Sequence, residues 1–105
     1  MGDVAAARTG RSGMIRPVKH AGTEALDRLE PMLVKLRTLP RLREKSRGVF
    51  YMQSKAILHF HEDPSGLFAD VRLVPYGTFV RMRVSTGAER SSLLKAIERA
   101  CTDRH

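Results

Sequence analysis

A chain of 105 residues with 42% apolar content is long enough for one packed core and too short for a core plus a second catalytic lobe. Lys and Arg outnumber Asp and Glu 19 to 11, for a formal net charge of +8, which favours polyanionic partners such as nucleic acid and equally describes a well-solvated basic surface. The single Cys101 excludes an intramolecular disulfide and a cysteine-only metal cluster.

The lone thiol suits a reducing compartment, so a cytoplasmic location is expected. No apolar run is long enough to cross a bilayer, and the first residues lack the apolar stretch of a signal peptide. Met1 to His20 is rich in Gly, Ala, Arg and Ser and has neither helical nor strand periodicity. It reads as a mobile basic arm, residues 1–20, ahead of a single domain, residues 21–105. Arg8, Arg11, Arg16 and Lys19 supply its charge, and Met14 is an alternative start.

The first helix is expected from Thr23 to Leu39. Thr23 is a good N-cap, and Leu26, Leu29, Leu33 and Leu36 place a leucine stripe on one face. Pro31 removes a backbone donor inside that pattern and predicts a kink or the start of the helix's second half, while Pro40 ends the helix. Arg41 to Arg47, with Leu42 as its one apolar residue, reads as an exposed basic linker or a short turn of helix.

From Gly48 the periodicity becomes alternating. Gly48 to Met52, Lys55 to Glu62, Leu67 to Val74 and Thr78 to Val84 are four predicted strands separated by Gln53-Ser54, Asp63-Pro64-Ser65-Gly66 and Pro75-Tyr76-Gly77. Connections this short force antiparallel neighbours. Thr86-Gly87-Ala88-Glu89 is a capping box opening a helix to about Thr102, with Leu93, Leu94, Ile97, Ala100 and Cys101 on its buried side. The expected fold is a two-layer α+β domain: helix, four-stranded antiparallel meander, helix, with both helices on one face of the sheet. Its core would be built from Leu26, Leu29, Leu33, Leu58, Phe60, Val71, Val80, Met82, Leu94 and Ile97.

The turn Asp63-Pro64-Ser65-Gly66 has the chemistry of a type I turn, which sets Glu62 opposite Leu67. Counting back, Phe60 faces Ala69, Leu58 faces Val71 and Ala56 faces Leu73 on the core side. The outer side pairs His61 with Phe68, His59 with Asp70 and Ile57 with Arg72. In the last strand Val80, Met82 and Val84 point inward, leaving Phe79, Arg81 and Arg83 on that same outer face.

Three readings of this face compete. His59 and His61, two apart on a strand, project together, and with Asp70 opposite His59 they are three candidate ligands for zinc or iron. As an acid–base pair, Asp70 would orient His59 and raise its pKa, but no Ser or Cys nucleophile stands beside it, so an enzyme is disfavoured. Arg72, Arg81 and Arg83 alternating with Phe68 and Phe79 would offer phosphate contacts next to rings on which bases stack. Against all three stands an ordinary solvated sheet, or one covered by the arm, by a second copy in a homodimer or by another protein.

The segments Leu39-Pro40-Arg41-Leu42-Arg43-Glu44, Gly48-Val49-Phe50-Tyr51, Ile57-Leu58-His59-Phe60-His61 and Phe68-Ala69-Asp70-Val71 resemble small bacterial domains of the MmcQ/YjbR type. They also resemble luciferase-associated α+β domains that carry a similar His-x-His followed by an Ala-Asp strand. The resemblance spans Leu33 to Ala100 and implies a helix–sheet–helix layout, with DNA binding as the activity proposed for the MmcQ/YjbR fold. The sequence thus leads to a binding or interaction domain with nucleic acid as the favoured ligand, and a small-ligand or metal-binding protein as the alternative.

Overall fold

The computed structural model describes residues 19–73 and 77–103. The greater part of the expected arm, and Val74, Pro75 and Tyr76 of the last turn, lie outside the described residues. In chain order the elements are β1 (Lys19–His20), α1 (Thr23–Arg37), β2 (Leu42–Ser46), β3 (Val49–Met52), β4 (Lys55–Asp63), β5 (Gly66–Val71), β6 (Val80–Arg83) and α2 (Gly87–Asp103). The fold is α+β, an antiparallel meander in the order β2-β3-β4-β5-β6 with the two helices packed against its inner face and touching one another. The meander has five strands where four were expected, and β1 adds a short sixth.

Leu29, Leu33 and Leu36 of α1 and Leu93 and Ile97 of α2 are buried with Phe50, Leu58, Phe60, Ala69 and Val71 from the strands and Val84 just after β6. Both helices therefore bury their apolar stripes on one side of the sheet, the arrangement that alternation along the strands demands. Leu26, Met82, Leu94 and Cys101 pack at the margin of this core. Val80 is corrected: it is 59% exposed, because it opens an edge strand whose other end, near Val84, is the part that the helices cover.

The sequence expectations for α1 change at three points. Thr23 is the first helical residue and the N-cap is Gly22, which has no side chain to cap with; Glu62 Oε2 accepts the Gly22 N–H at 2.6 Å instead. The helix continues through Pro31. Pro31 and Asp27 are both exposed, so the carbonyl that loses its partner stands where water can reach it. The helix ends at Arg37, where the Thr38 hydroxyl donates to Lys35 O at 2.7 Å.

The segment taken for a basic linker is strand β2. It pairs with β3 through Leu42↔Met52, Arg43↔Tyr51, Glu44↔Phe50 and Ser46↔Val49. A charged strand is suited to a sheet edge, where one row of backbone groups stays in water and charges oppose pairing with another chain. Glu44 ties the edge to α1: Arg37 Nε and Nη2 reach it at 2.6 and 3.1 Å, and Gly48 N–H donates to it at 2.9 Å. The Arg37 guanidinium, with lesser help from the Gly48 amide, holds this half-buried carboxyl below its ordinary range.

The β4–β5 hairpin has the register read from its turn: Glu62↔Leu67, His61↔Phe68, Phe60↔Ala69, His59↔Asp70 and Leu58↔Val71. Asp63 Oδ1 accepts from the Ser65 amide and hydroxyl at 2.7 and 2.6 Å, which closes the turn. Gly66 has φ +145°, and a Cβ there would meet Ser85 Oγ at 2.4 Å, so glycine is required where β5 leaves the turn. Ser85 uses that hydroxyl to accept the Leu67 N–H at 2.9 Å. The capping box opens α2 as read: Glu89 N–H donates to Thr86 Oγ1 at 3.1 Å, while Glu89 Oε1 accepts from the amides of Ser85 and Thr86.

Candidate functional site

Alternation on β4 turns His59 and His61 away from the helices, and cross-strand pairing sets Asp70 and then Arg81 beside His59, and Phe68 and then Arg83 beside His61. Ile57 departs from this pattern. The register of β3 on β4 shifts between Phe50↔Leu58 and Tyr51↔Ala56, so β4 carries one extra residue at Ile57, and both Ile57 and Leu58 are buried.

The residue missing from the sequence reading is His20. β1 lies antiparallel to β4 with Lys19↔Glu62 and His20↔His61, on the edge of β4 that β3 leaves free and opposite β5. The end of the expected arm is thereby replaced, at residues 19 and 20, by a strand. His20 joins the other two imidazoles: ring centroids lie 5.1 Å apart for His20–His61, 4.9 Å for His59–His61 and 6.0 Å for His20–His59. One ligand nitrogen from each of the three falls within 4.8 Å of the others. Tetrahedral zinc bound to imidazoles places its nitrogens about 3.3 Å apart, so the three rings would have to close further to share an ion, with the exposed His20 the freest to move.

Burial makes this cluster costly as it stands. His61 is only 9% exposed, and both its ring nitrogens, together with Nδ1 of His59, are buried without a hydrogen-bond partner among the described residues. Such groups cost about 1–3 kcal/mol each when nothing satisfies them. His61 Nε2 does stand 2.9 Å from Asp70 Oδ2, but the contact is out of line for a hydrogen bond. Burial is the main influence on His59, pushing its imidazole below the ordinary value; the neighbouring His61 adds to this and Asp70 opposes it.

Asp70 was expected to be a ligand or to orient His59. Its backbone does face His59, yet its carboxylate turns to His61 and to Arg81, whose Nε and Nη2 donate to Oδ1 and Oδ2 at 2.7 and 2.9 Å. The Arg81 hydrogen bonds hold the Asp70 carboxyl below its ordinary range. Outer-shell carboxylates of metal-bound histidines stand against the ring nitrogen away from the ion, and Asp70 Oδ2 lies beside Nε2 of His61 in the way such a carboxylate would, though without the alignment of a hydrogen bond. Asp70 therefore stands behind the three imidazoles, which would form the inner set of a metal held here, without a carboxylate.

The arginines proposed for phosphate are each engaged. Arg81 is bidentate on Asp70, Arg83 Nη1 lies 3.4 Å from Glu89 Oε2, and Arg72 Nη2 donates to Ala56 O at 2.9 Å. The Arg72 guanidinium also stacks 4.5 Å over the ring of Phe79, which in turn meets His59 edge-on at 5.1 Å. Phe68 is half-buried beside His61 and Phe79 is exposed, so the aromatic wall of the face is real on one side of the histidines. Cys101 is half-buried on α2, where burial pushes its thiol up and away from nucleophilic use. Among the described residues no helix is long and apolar enough to cross a membrane. Comparison of this chain with protein-family models, with curated proteins and with solved structures finds no match, so the reading of the site rests on its own chemistry.

Proposed function

We propose that this chain is a transition-metal-binding domain in which His20, His59 and His61 are the ligands and Asp70, held by Arg81, is the carboxylate behind His61. The observation that carries the reading is the pair His59 and His61, with buried ring nitrogens that lack partners among the described residues, in a cluster where one nitrogen from each of three imidazoles lies within 4.8 Å of the others. Three neutral imidazoles suit zinc, copper, nickel or iron, and in tetrahedral zinc they leave a fourth position for water or an incoming ligand. Isothermal titration with zinc, repeated with copper(II) and nickel(II), is expected to give one ion per chain. Asp70→Asn should weaken binding by about 10–100-fold as an outer-shell change, and His61→Ala by more. No binding by the folded protein, or equal affinity in the His61→Ala variant, would remove the reading.

A second reading, nucleic-acid binding through the same face, is favoured by the stack of Arg72 on Phe79 beside half-exposed Arg83, within a chain of net charge +8. Short single-stranded DNA would then bind with an affinity that falls steeply as salt rises, through counterion release. Replacing Arg72 and Arg83 with Ala should weaken binding and flatten that slope by about two ions released. An unchanged slope in the double variant, or no binding at low salt, counts against it.

A further inference from the structure

The third histidine stands on the most lightly attached piece of the sheet. β1 meets β4 at two residue pairs, followed by Ala21 N–H to Phe60 O at 3.1 Å and Gly22 N–H to Glu62 Oε2 at 2.6 Å. A two-residue strand brings little pairing of its own, and His20 stays exposed although its ring lies against those of His59 and buried His61. His59 and His61, in contrast, are fixed on a nine-residue strand paired on both edges. The cluster is thus two preset ligands and one that arrives with a movable segment.

We infer that metal occupancy works a strap: the ion bridges His20 to His59 and His61, fastening residues 19–22 across the edge of β4, and its loss frees them. This inference rests on the metal reading proposed above. The ligands are about forty residues apart in sequence, so a cross-link between them removes loop-closure entropy that two backbone rungs offset poorly. The strap also leads directly into α1. Gly22 caps that helix by accepting Leu26 N–H at 2.9 Å, and its own N–H is held by Glu62 from β4. Fastening β1 therefore fixes the entry of α1 as well. Unfastening bares the backbone of β4 at Phe60 and the carboxylate of Glu62, a short stretch of sheet edge that an extended segment could pair with.

The test is hydrogen exchange at the amides of Ala21 and Gly22 in the full chain, without and with saturating zinc, beside calorimetric titration of the same samples. Zinc is expected to slow exchange at both amides at least about tenfold, as local opening becomes rarer. His20→Ala, at an exposed position that leaves the core intact, should still take up zinc more weakly through His59 and His61 but show no slowing at saturation. Zinc uptake by the wild type with unchanged exchange, or equal slowing in the His20→Ala variant, overturns the strap and leaves the metal site standing. Absence of zinc uptake in the titration overturns both at once and is read separately from exchange.

Discussion

Leu58→Ala lowers the free energy of unfolding, measured by urea titration, by about 2–5 kcal/mol. The side chain is fully buried, on β4 opposite Val71 of β5 and Phe50 of β3, in a core that also receives Leu29 and Leu33 from α1. Truncation loses the transfer free energy of the removed carbons and adds a cavity, and the walls here can collapse little. Two of them, Phe50 and Val71, are strand residues fixed by the sheet ladder, and the bulge at Ile57 already commits the neighbouring backbone. Val80→Ala supplies the control. Val80 sits on the same inner side of the sheet but is 59% exposed, so its truncation is expected to cost within about 0.5 kcal/mol. A loss below about 1 kcal/mol at Leu58, or equal losses at both positions, would mean that β4 does not hold the register described.

The contrast between those two residues shows what local sequence carries. The β4–β5 register follows from one turn, because Asp63, Pro64 and Gly66 each allow few conformations and the pleat then assigns every side chain to a face. The capping box of α2 is legible for the same reason: Thr86 and Glu89 act on backbone three residues away. Features that depend on distant partners are not legible. β2 carries alternating charge in place of alternating apolarity because it is an edge, so its periodicity is hidden by the residues that protect it. Gly22 can cap α1 because Glu62 reaches it from forty residues on, which hid the start of the helix behind the better local cap at Thr23. His20 is the same case at the site. Nothing in Lys19-His20 alternates, and its place beside His61 is a tertiary fact. The pairing of Arg81 with Asp70 was within reach, since the predicted register put opposite charges on adjacent strands of one face.

His61→Leu should reverse the order of stability between variant and wild type when zinc is added. In the metal-free protein, leucine replaces a buried imidazole whose two nitrogens lack hydrogen-bond partners among the described residues, beside half-buried Phe68. Removing unsatisfied polar atoms offsets the change of shape, and Asp70 keeps both of its bonds to Arg81, so no buried charge is stranded. The metal-free variant is therefore expected to be as stable as the wild type or more so by about 1 kcal/mol. With free zinc at about 100 times the dissociation constant, the wild type gains about 2.7 kcal/mol by mass action, and the variant, lacking the central ligand, gains little. The melting curves should cross over: variant at or above wild type without zinc, and below it with zinc. A purely structural histidine gives the opposite first result, a variant destabilised by 1 kcal/mol or more in the absence of metal and an equal gap in its presence. That outcome would assign His61 to the packing of the sheet, whereas the crossover would show that its burial without partners is a cost the fold carries for the ion.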